Sequence, residues 1–238
     1  RKHPLTLNRK HSTIRIYTYG TLMKNISTNI KKKLEKRLRR VFFDAELREE
    51  LDELQENIGF SDSTKYKIKN ETHVLKLKWQ NNAEHRPLSF QEQNEFEDII
   101  GAICHPGSRY YVSNYTALYW NELVNQKPST YYISKEVANR TAVHSDEYNA
   151  DSVRQVFMKS HRHTTRSFSY KKLQAFIVEK QDLDMIGLTT KTIDISGRKI
   201  SFKMTDVERT LIDAVISPQY SGGIMTLIDC FSKARIDI

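Results

Sequence analysis

The stretch KTIDISGRKISFKMTDVERTLIDAV, residues 191–215, changes its hydrophobic period halfway along. Its first half alternates and breaks at Ser196-Gly197, which reads as two strands of a hairpin. Its second half opens with Thr205-x-x-Glu208, a capping-box spacing, and places Val207, Leu211, Ile212 and Val215 on one apolar helical face that runs until Pro218. A hairpin feeding directly into a helix predicts an α+β chain. Working outward, Gly222-Gly223 marks the tight turn before a last helix. Upstream, FSYKKLQAFIVEK (168–180) and STYYIS (129–134) read as strands. Tyr110 to Val112 is a short β-run, and Ser113 is placed to cap a helix bearing Tyr115, Leu118, Tyr119 and Leu123. Residues 136–166 are polar and poorly periodic. Together, residues 86–238 form an expected mixed α/β domain.

The first part of the chain has another character. Residues 1–40 hold 13 Lys/Arg against the single Glu35, whereas residues 41–62 oppose eight acidic residues with Arg48 alone. A short strand is expected at STIRIYTY (12–19). Ser27 to Ile58 contains no Gly or Pro and repeats Ile30, Leu34, Leu38, then Leu47, Leu51, Leu54 and Ile58 at helical steps, giving two helices or one kinked helix that ends at Gly59. TKYKIKNETHVLKLKW (64–79) alternates on either side of Asn70 and reads as a hairpin with Tyr66 and Ile68 in one strand and Val74, with Leu75 and Leu77 as further candidates, in the next. Helices followed by a basic hairpin suggest a divergent winged helix, although this reading leaves no short recognition helix between them. Residues 1–85 are thus expected to form a basic helical N-terminal region with a β-hairpin. The polar stretch 80–89 is the expected border, followed by a Ser89-x-x-Glu92 cap and a helix carrying Phe96, Ile99, Ile100 and Ile103.

A length of 238 residues supports a genuine core without covalent staples, and 12 Tyr, 10 Phe and 2 Trp argue against global disorder. The two cysteines, Cys104 and Cys230, are far apart and form no C-x-x-C, so no structural zinc and a reducing, cytoplasmic location are expected. No apolar run reaches membrane-spanning length and no signal-peptide core is present, so no membrane partner is expected. Beginning at Arg1 and stopping at Ile238 inside an apparent helix, the sequence reads as lacking both natural ends.

The basic block makes nucleic acid the leading partner, because phosphates neutralised by Lys or Arg release counterions. The candidate contacts are Lys31, Lys32, Lys33, Lys36, Arg37, Arg39 and Arg40, with Lys67 and Lys69 of the hairpin; Lys65, Lys76 and Lys78 extend the same face. The competing reading is a solvated helical face that neutralises the acidic helix after it. Asp206, Glu208 and Asp213 are the most suggestive carboxylates for metal or acid–base chemistry, but Glu208 suits a cap, Asp206 suits the helix dipole and Arg209 pairs with Asp213 at i,i+4. His161 and His163 lack a nearby third ligand. No catalytic residue, metal or cofactor is therefore expected, and binding outranks catalysis.

YYVSNYTALYWNELVNQKPSTYYIS (110–134), followed by KTIDISGRKISFKMTDVERTLIDAVISPQYSGGIMTLIDCF (191–231), resembles AbiEi-type antitoxins of abortive-infection, type IV toxin-antitoxin systems. The residues that carry the resemblance are Tyr111, Val112, Ser113, Ala117, Leu118, Gln126 and Pro128, then Asp206, Glu208, Arg209, Thr210, Leu211, Asp213, Pro218, Gly222 and Gly223. It covers roughly residues 96–232, and residues 1–80 depart from the family's usual compact N-terminal winged helix. The resemblance implies a non-enzymatic bacterial antitoxin that represses its operon by binding DNA and counteracts a nucleotidyltransferase-type toxin. The alternatives are a non-enzymatic subunit of a multi-protein phage-defence assembly and, further off, a metal-dependent nuclease or nucleotidyltransferase built on Asp206, Glu208 and Asp213.

Overall fold

Hydrophobic spacing, capping groups and glycine turns divide the chain into α+β elements in the computed structural model, which describes residues 26–80, 86–137, 154, 163–181, 184–195 and 197–234. The strand expected at 12–19, and Ser196, His161 and Arg162, lie outside the described residues. The elements assemble into two units that interleave in sequence. One takes residues up to Leu75 together with Pro87–Asn94, and the other takes Lys76–Arg86 and Glu95–Ile238. The border expected between residues 85 and 86 therefore falls inside an excursion from the first unit into the second.

In the first unit, helix α1 (26–37) buries Ile30 and Leu34 and leads into strand β1 (Val41–Phe42). Helix α2 (Asp44–Ile58) starts where the Glu46 carboxylate accepts the Phe43 backbone N–H at 2.9 Å, and it stops at Gly59, whose φ of +72° turns the chain out of the helix. Helix α3 (Asp62–Asn70) follows after a short turn. This overturns the first strand expected at 64–69. Thr64 and Ile68, four apart, are both buried, while Tyr66 between them is exposed. Asp62 in the first turn and Lys67 and Lys69 in the last suit the helix dipole. Strand β2 (His73–Val74) comes next, and strand β4 (Leu88–Ser89) returns to lie between β1 and β2, antiparallel to both. The core joins Leu34, Phe42, Leu47, Leu51, Leu54 and Ile68 with Leu88 and Phe90. This helix–strand–helix–helix–strand–strand order is that of a winged helix, and α3 supplies the short helix that the sequence reading did not find. Ser89, expected to cap the next helix, lies in β4, and its Oγ accepts the Gln91 N–H at 3.0 Å.

The second unit is built on a seven-stranded mixed sheet. The excursion contributes strand β3 (Lys78–Gln80) as one edge, paired with β7 (Ser167–Tyr170). The order continues through β8 (Leu173–Gln181), β6 (Thr130–Val137), β5 (Tyr110–Val112), β10 (Arg198–Thr205) and finally β9 (Leu188–Ile195) at the other edge. β6–β8 and β5–β10 are parallel, and the remaining neighbours are antiparallel. The stretch 168–180 is thus two strands joined at Lys171, whose φ is +55°. Helix α4 (Phe96–Ile103) begins at an Asp98 carboxylate that accepts the Glu95 N–H at 2.9 Å, and every one of its residues is buried. Helices α5 (Asn114–Trp120), α6 (Val207–Ile216) and α7 (Gly223–Ala234) join through Leu118, Leu123, Leu211, Ala214, Leu227 and Cys230. Ser113 precedes α5, but its side chain meets the Ser134 hydroxyl at 2.6 Å instead of capping the helix. On α6, Leu211 turns inward while Ile212 and Val215 face outward, so the single apolar face expected there is split. No helix among the described residues is long and apolar enough to cross a membrane.

Candidate functional site

Burial of Thr64 and Ile68 turns the other side of α3 outward, exposing Ser63, Tyr66, Lys67 and Asn70, while Lys69 is half-buried. A hydroxyl, a phenol, an ammonium and an amide on one short helix form a surface able to reach both phosphates and base edges. Ser63, Tyr66 and Asn70 were missed because the Lys–x–Lys alternation of residues 65–69 resembles a strand. The helical signal was the four-residue step from Thr64 to Ile68.

The basic residues of α1 and the segment after it divide into two groups. Lys32, Lys33 and Lys36 are exposed on the outer side of α1. The other four are engaged within the unit. Lys31 pairs with Glu71 at 3.1 Å, and Arg37 reaches Glu50 at 3.1 Å and Glu53 at 2.8 Å. Arg39 pairs with Glu46, and Arg40 donates to the Asn94 side chain at 3.1 Å and to the Gln93 carbonyl. Glu50 and Glu53 hold the Arg37 guanidinium above its ordinary pKa, with Glu53 the stronger influence. Lys65 of α3 is tied to Asp52. Much of the charge segregation in residues 31–65 is therefore α2 carboxylates meeting the cations of α1 and α3.

In the second unit, Asp206 precedes α6 and its carboxylate accepts the Arg209 N–H at 2.8 Å. The cap is thus Asp206 and not Thr205, which ends β10 and meets the Thr210 hydroxyl at 2.6 Å. Arg209 is the hub of a buried charge network. Its Nε lies 3.2 Å from Asp213, one guanidinium nitrogen donates to the Ile186 carbonyl at 2.6 Å, and the other lies 3.3 Å from Glu136. The far oxygen of Asp213 meets Lys180 Nζ at 2.5 Å. Burial opposes the Arg209 charge, but Asp213, Tyr111 and Glu136 outweigh it and raise its pKa. Burial pushes the Lys180 ammonium below the usual lysine range even though Asp213 attracts it. The Tyr111 phenol beside them is pushed up by burial.

Gly187 completes this arrangement. Its φ is +70°, and a Cβ there would stand 2.7 Å from the Cβ of Arg209. Gly222 and Gly223, at φ +83° and +85°, form the tight turn into α7, and a Cβ on Gly222 would stand 2.9 Å from Thr226 Oγ1. Glu208 is exposed, Asp206 is committed to the cap and Asp213 to two cations, so the three carboxylates do not converge. Among the described residues, no group of three His, Cys, Asp or Glu is placed to hold a metal ion. Cys104 and Cys230 are buried, and burial raises both thiol pKa values. His163 meets the ring of Tyr220 edge-on. A separate open groove of about 800 Å³ runs beside β9, between Trp120 and Val124 on one side and Lys191, Ile193 and Ile195 on the other.

Comparison of the sequence with protein-family models and with curated proteins finds no match.

Proposed function

We propose that this protein is a DNA-binding regulator of the antitoxin type, which places α3 in the major groove of duplex DNA and uses its second unit to counteract a nucleotidyltransferase-type toxin. The observation that carries the DNA half is the winged-helix order of the first unit, with α3 turning Ser63, Tyr66, Lys67 and Asn70 outward. Lys32, Lys33 and Lys36 add positive charge that no described partner neutralises. The toxin half rests on the resemblance of residues 96–232 to AbiEi-type antitoxins, with Asp206, Arg209, Thr210 and Asp213 among the residues that carry it, in a structural or partner-binding role.

The test for DNA is fluorescence anisotropy with the promoter duplex upstream of the gene, titrated across salt. Each phosphate contact contributes about 0.9 to the slope of log K against log salt. Lys67→Ala is expected to lower that slope by about 0.9 and to weaken binding to promoter and scrambled duplexes alike. Tyr66→Ala is expected to weaken the promoter duplex more than the scrambled one. A flat salt dependence, or a slope indifferent to Lys67, would refute the reading.

The second reading is a subunit of a defence assembly that makes protein contacts only. Engagement of Lys31, Arg37, Arg39 and Arg40 inside the first unit favours it. Co-expression with the neighbouring gene product separates the two. Toxicity relieved by this protein supports the antitoxin, whereas stable co-elution without toxicity or a DNA shift supports the subunit.

A further inference from the structure

Strand β9 is the long free edge of the second unit's sheet. All eight of its residues pair with β10 in unbroken register, so it has no bulge, and it contains no proline. The edge at the other end of the sheet, β3, is three residues long. Of the usual guards of an edge, a short strand, proline, a bulge or lysines, β9 has only Lys191. The two-residue turn between Ile195 and Arg198 makes that pair exchange both backbone hydrogen bonds, and the pattern alternates from there. Thr190, Thr192 and Asp194 therefore turn their N–H and C=O groups away from β10. The Lys203 N–H, opposite Thr190, fixes this phase, because it donates away from β9 to the Cys104 carbonyl at 2.6 Å. A second extended backbone is the partner whose donors and acceptors repeat at that spacing.

The groove beside this edge selects the side chain that such a strand would carry. Lys191, Ile193 and Ile195 form its β9 wall, Tyr119, Trp120 and Val124 lie opposite, and Glu97 of α4 lines it as well. Only 5% of Glu97 is exposed. Burial opposes its charge, but Lys127, the residue's own N–H and Tyr131 outweigh it, lower its pKa and keep it ionised. The Tyr131 hydroxyl at 2.9 Å and the Lys127 ammonium at 2.7 Å both donate to Oε1, and among the described residues no other side chain donates to Oε2. Lys127 is itself a surface residue, its side chain 60% exposed. Glu122, held in the left-handed region at φ +62°, and Asp194 bring the groove to three carboxylates against two lysines, in a chain whose net charge is +9. A guanidinium or ammonium suits both the open carboxylate oxygen and the aromatic wall, whereas a phosphate suits neither. We infer that the β9 edge and its groove take up an extended segment of a partner polypeptide, which adds a strand to the sheet and directs an arginine or lysine side chain at Glu97. Neither reading of the function above is needed for this site.

The test measures retention of the labelled full chain on immobilised, capped peptides of eight residues, the length of β9, random except for a central residue fixed as Arg, Lys, Ala or Glu. The Arg and Lys sets are expected to retain it about tenfold better than the Ala and Glu sets, the effect of one charge-assisted hydrogen bond. Non-specific attraction to a chain of charge +9 would favour the Glu set, so the expected order cannot arise from net charge. With the best Arg peptide, Glu97→Gln is expected to weaken binding by about tenfold, and Lys127→Ala, which removes the competing cation, to tighten it. Far-ultraviolet circular dichroism checks that each variant is folded. A further arm leaves the protein untouched: N-methylation of alternate peptide residues is expected to abolish binding in one phase and spare it in the other, as a strand bonded along one edge requires. Equal retention on all four sets, a preference for the Glu set, binding indifferent to both variants, or N-methylation without this two-residue period would each overturn the inference. Argininamide that binds as tightly as the peptide would reduce the site to a pocket for a small cation and overturn the added strand.

Discussion

Asp213→Asn changes one atom and one charge at the point where α6 meets β6 and β8. The site holds two cations, Lys180 and Arg209, and two carboxylates, Glu136 and Asp213, all within about an eighth of full exposure. The substitution keeps the shape and leaves two positive groups sharing Glu136. Removing one member of a buried pair costs about 3–5 kcal/mol. At about 2 kcal/mol per molar urea, that is a fall of about 1.5–2.5 M in the unfolding midpoint. Trp79 and Trp120, the only two tryptophans, both belong to the second unit, so tryptophan fluorescence reports on that unit alone. The pH dependence follows from Lys180. Burial has lowered its pKa in the folded protein, so the unfolded chain binds this proton more tightly and stability rises with pH between the depressed value and the ordinary lysine value. Loss of Asp213 removes the strongest attraction that opposes the depression, so the window opens at lower pH. The variant is therefore expected to recover part of its deficit as pH rises toward the ordinary lysine pKa. A deficit below about 1 kcal/mol at pH 7 is what a weak, solvent-screened surface pair would give, and it would refute the buried-network argument, as would a deficit that grows with pH.

Gly187→Ala adds a Cβ at φ +70° and 2.7 Å from Arg209, and the strained backbone alone costs about 1–3 kcal/mol. The same fluorescence midpoint should fall, and an unchanged midpoint would show that the 184–187 turn yields freely. Cys104 and Cys230 are buried with raised pKa values, so Ellman's reagent at pH 8 should label neither until the protein is unfolded. Rapid labelling of the native protein would contradict their placement in the core.

The hairpin at 191–205 was legible because its turn chemistry is local: Asp194 accepts the Gly197 N–H at 2.9 Å, and the strands pair Ile195 with Arg198. The Arg209–Asp213 pair was legible from its spacing alone. Helix α3 was not, because its partners in burial are α1, α2 and β4, whereas the visible alternation lay on its solvent side. The start of α4 was misplaced because Ser89 satisfies a capping spacing while held in a strand, with Asn94 at 3.1 Å from its hydroxyl. Glu136 and Lys180 carry no local mark. The parallel register of β6 and β8 makes them neighbours, and such long-range pairing is invisible to a reading along the chain.

The excursion through β3 has a consequence for how this protein can be divided. A piece ending at Leu75 lacks β4, the middle strand of its sheet, and a piece beginning at Glu95 lacks β3, which pairs with β7 and packs the Trp79 ring, tilted, 4.8 Å from that of Phe168. No single cut releases both units whole. Recombination at one breakpoint therefore cannot exchange the first unit as a cassette while keeping the second intact.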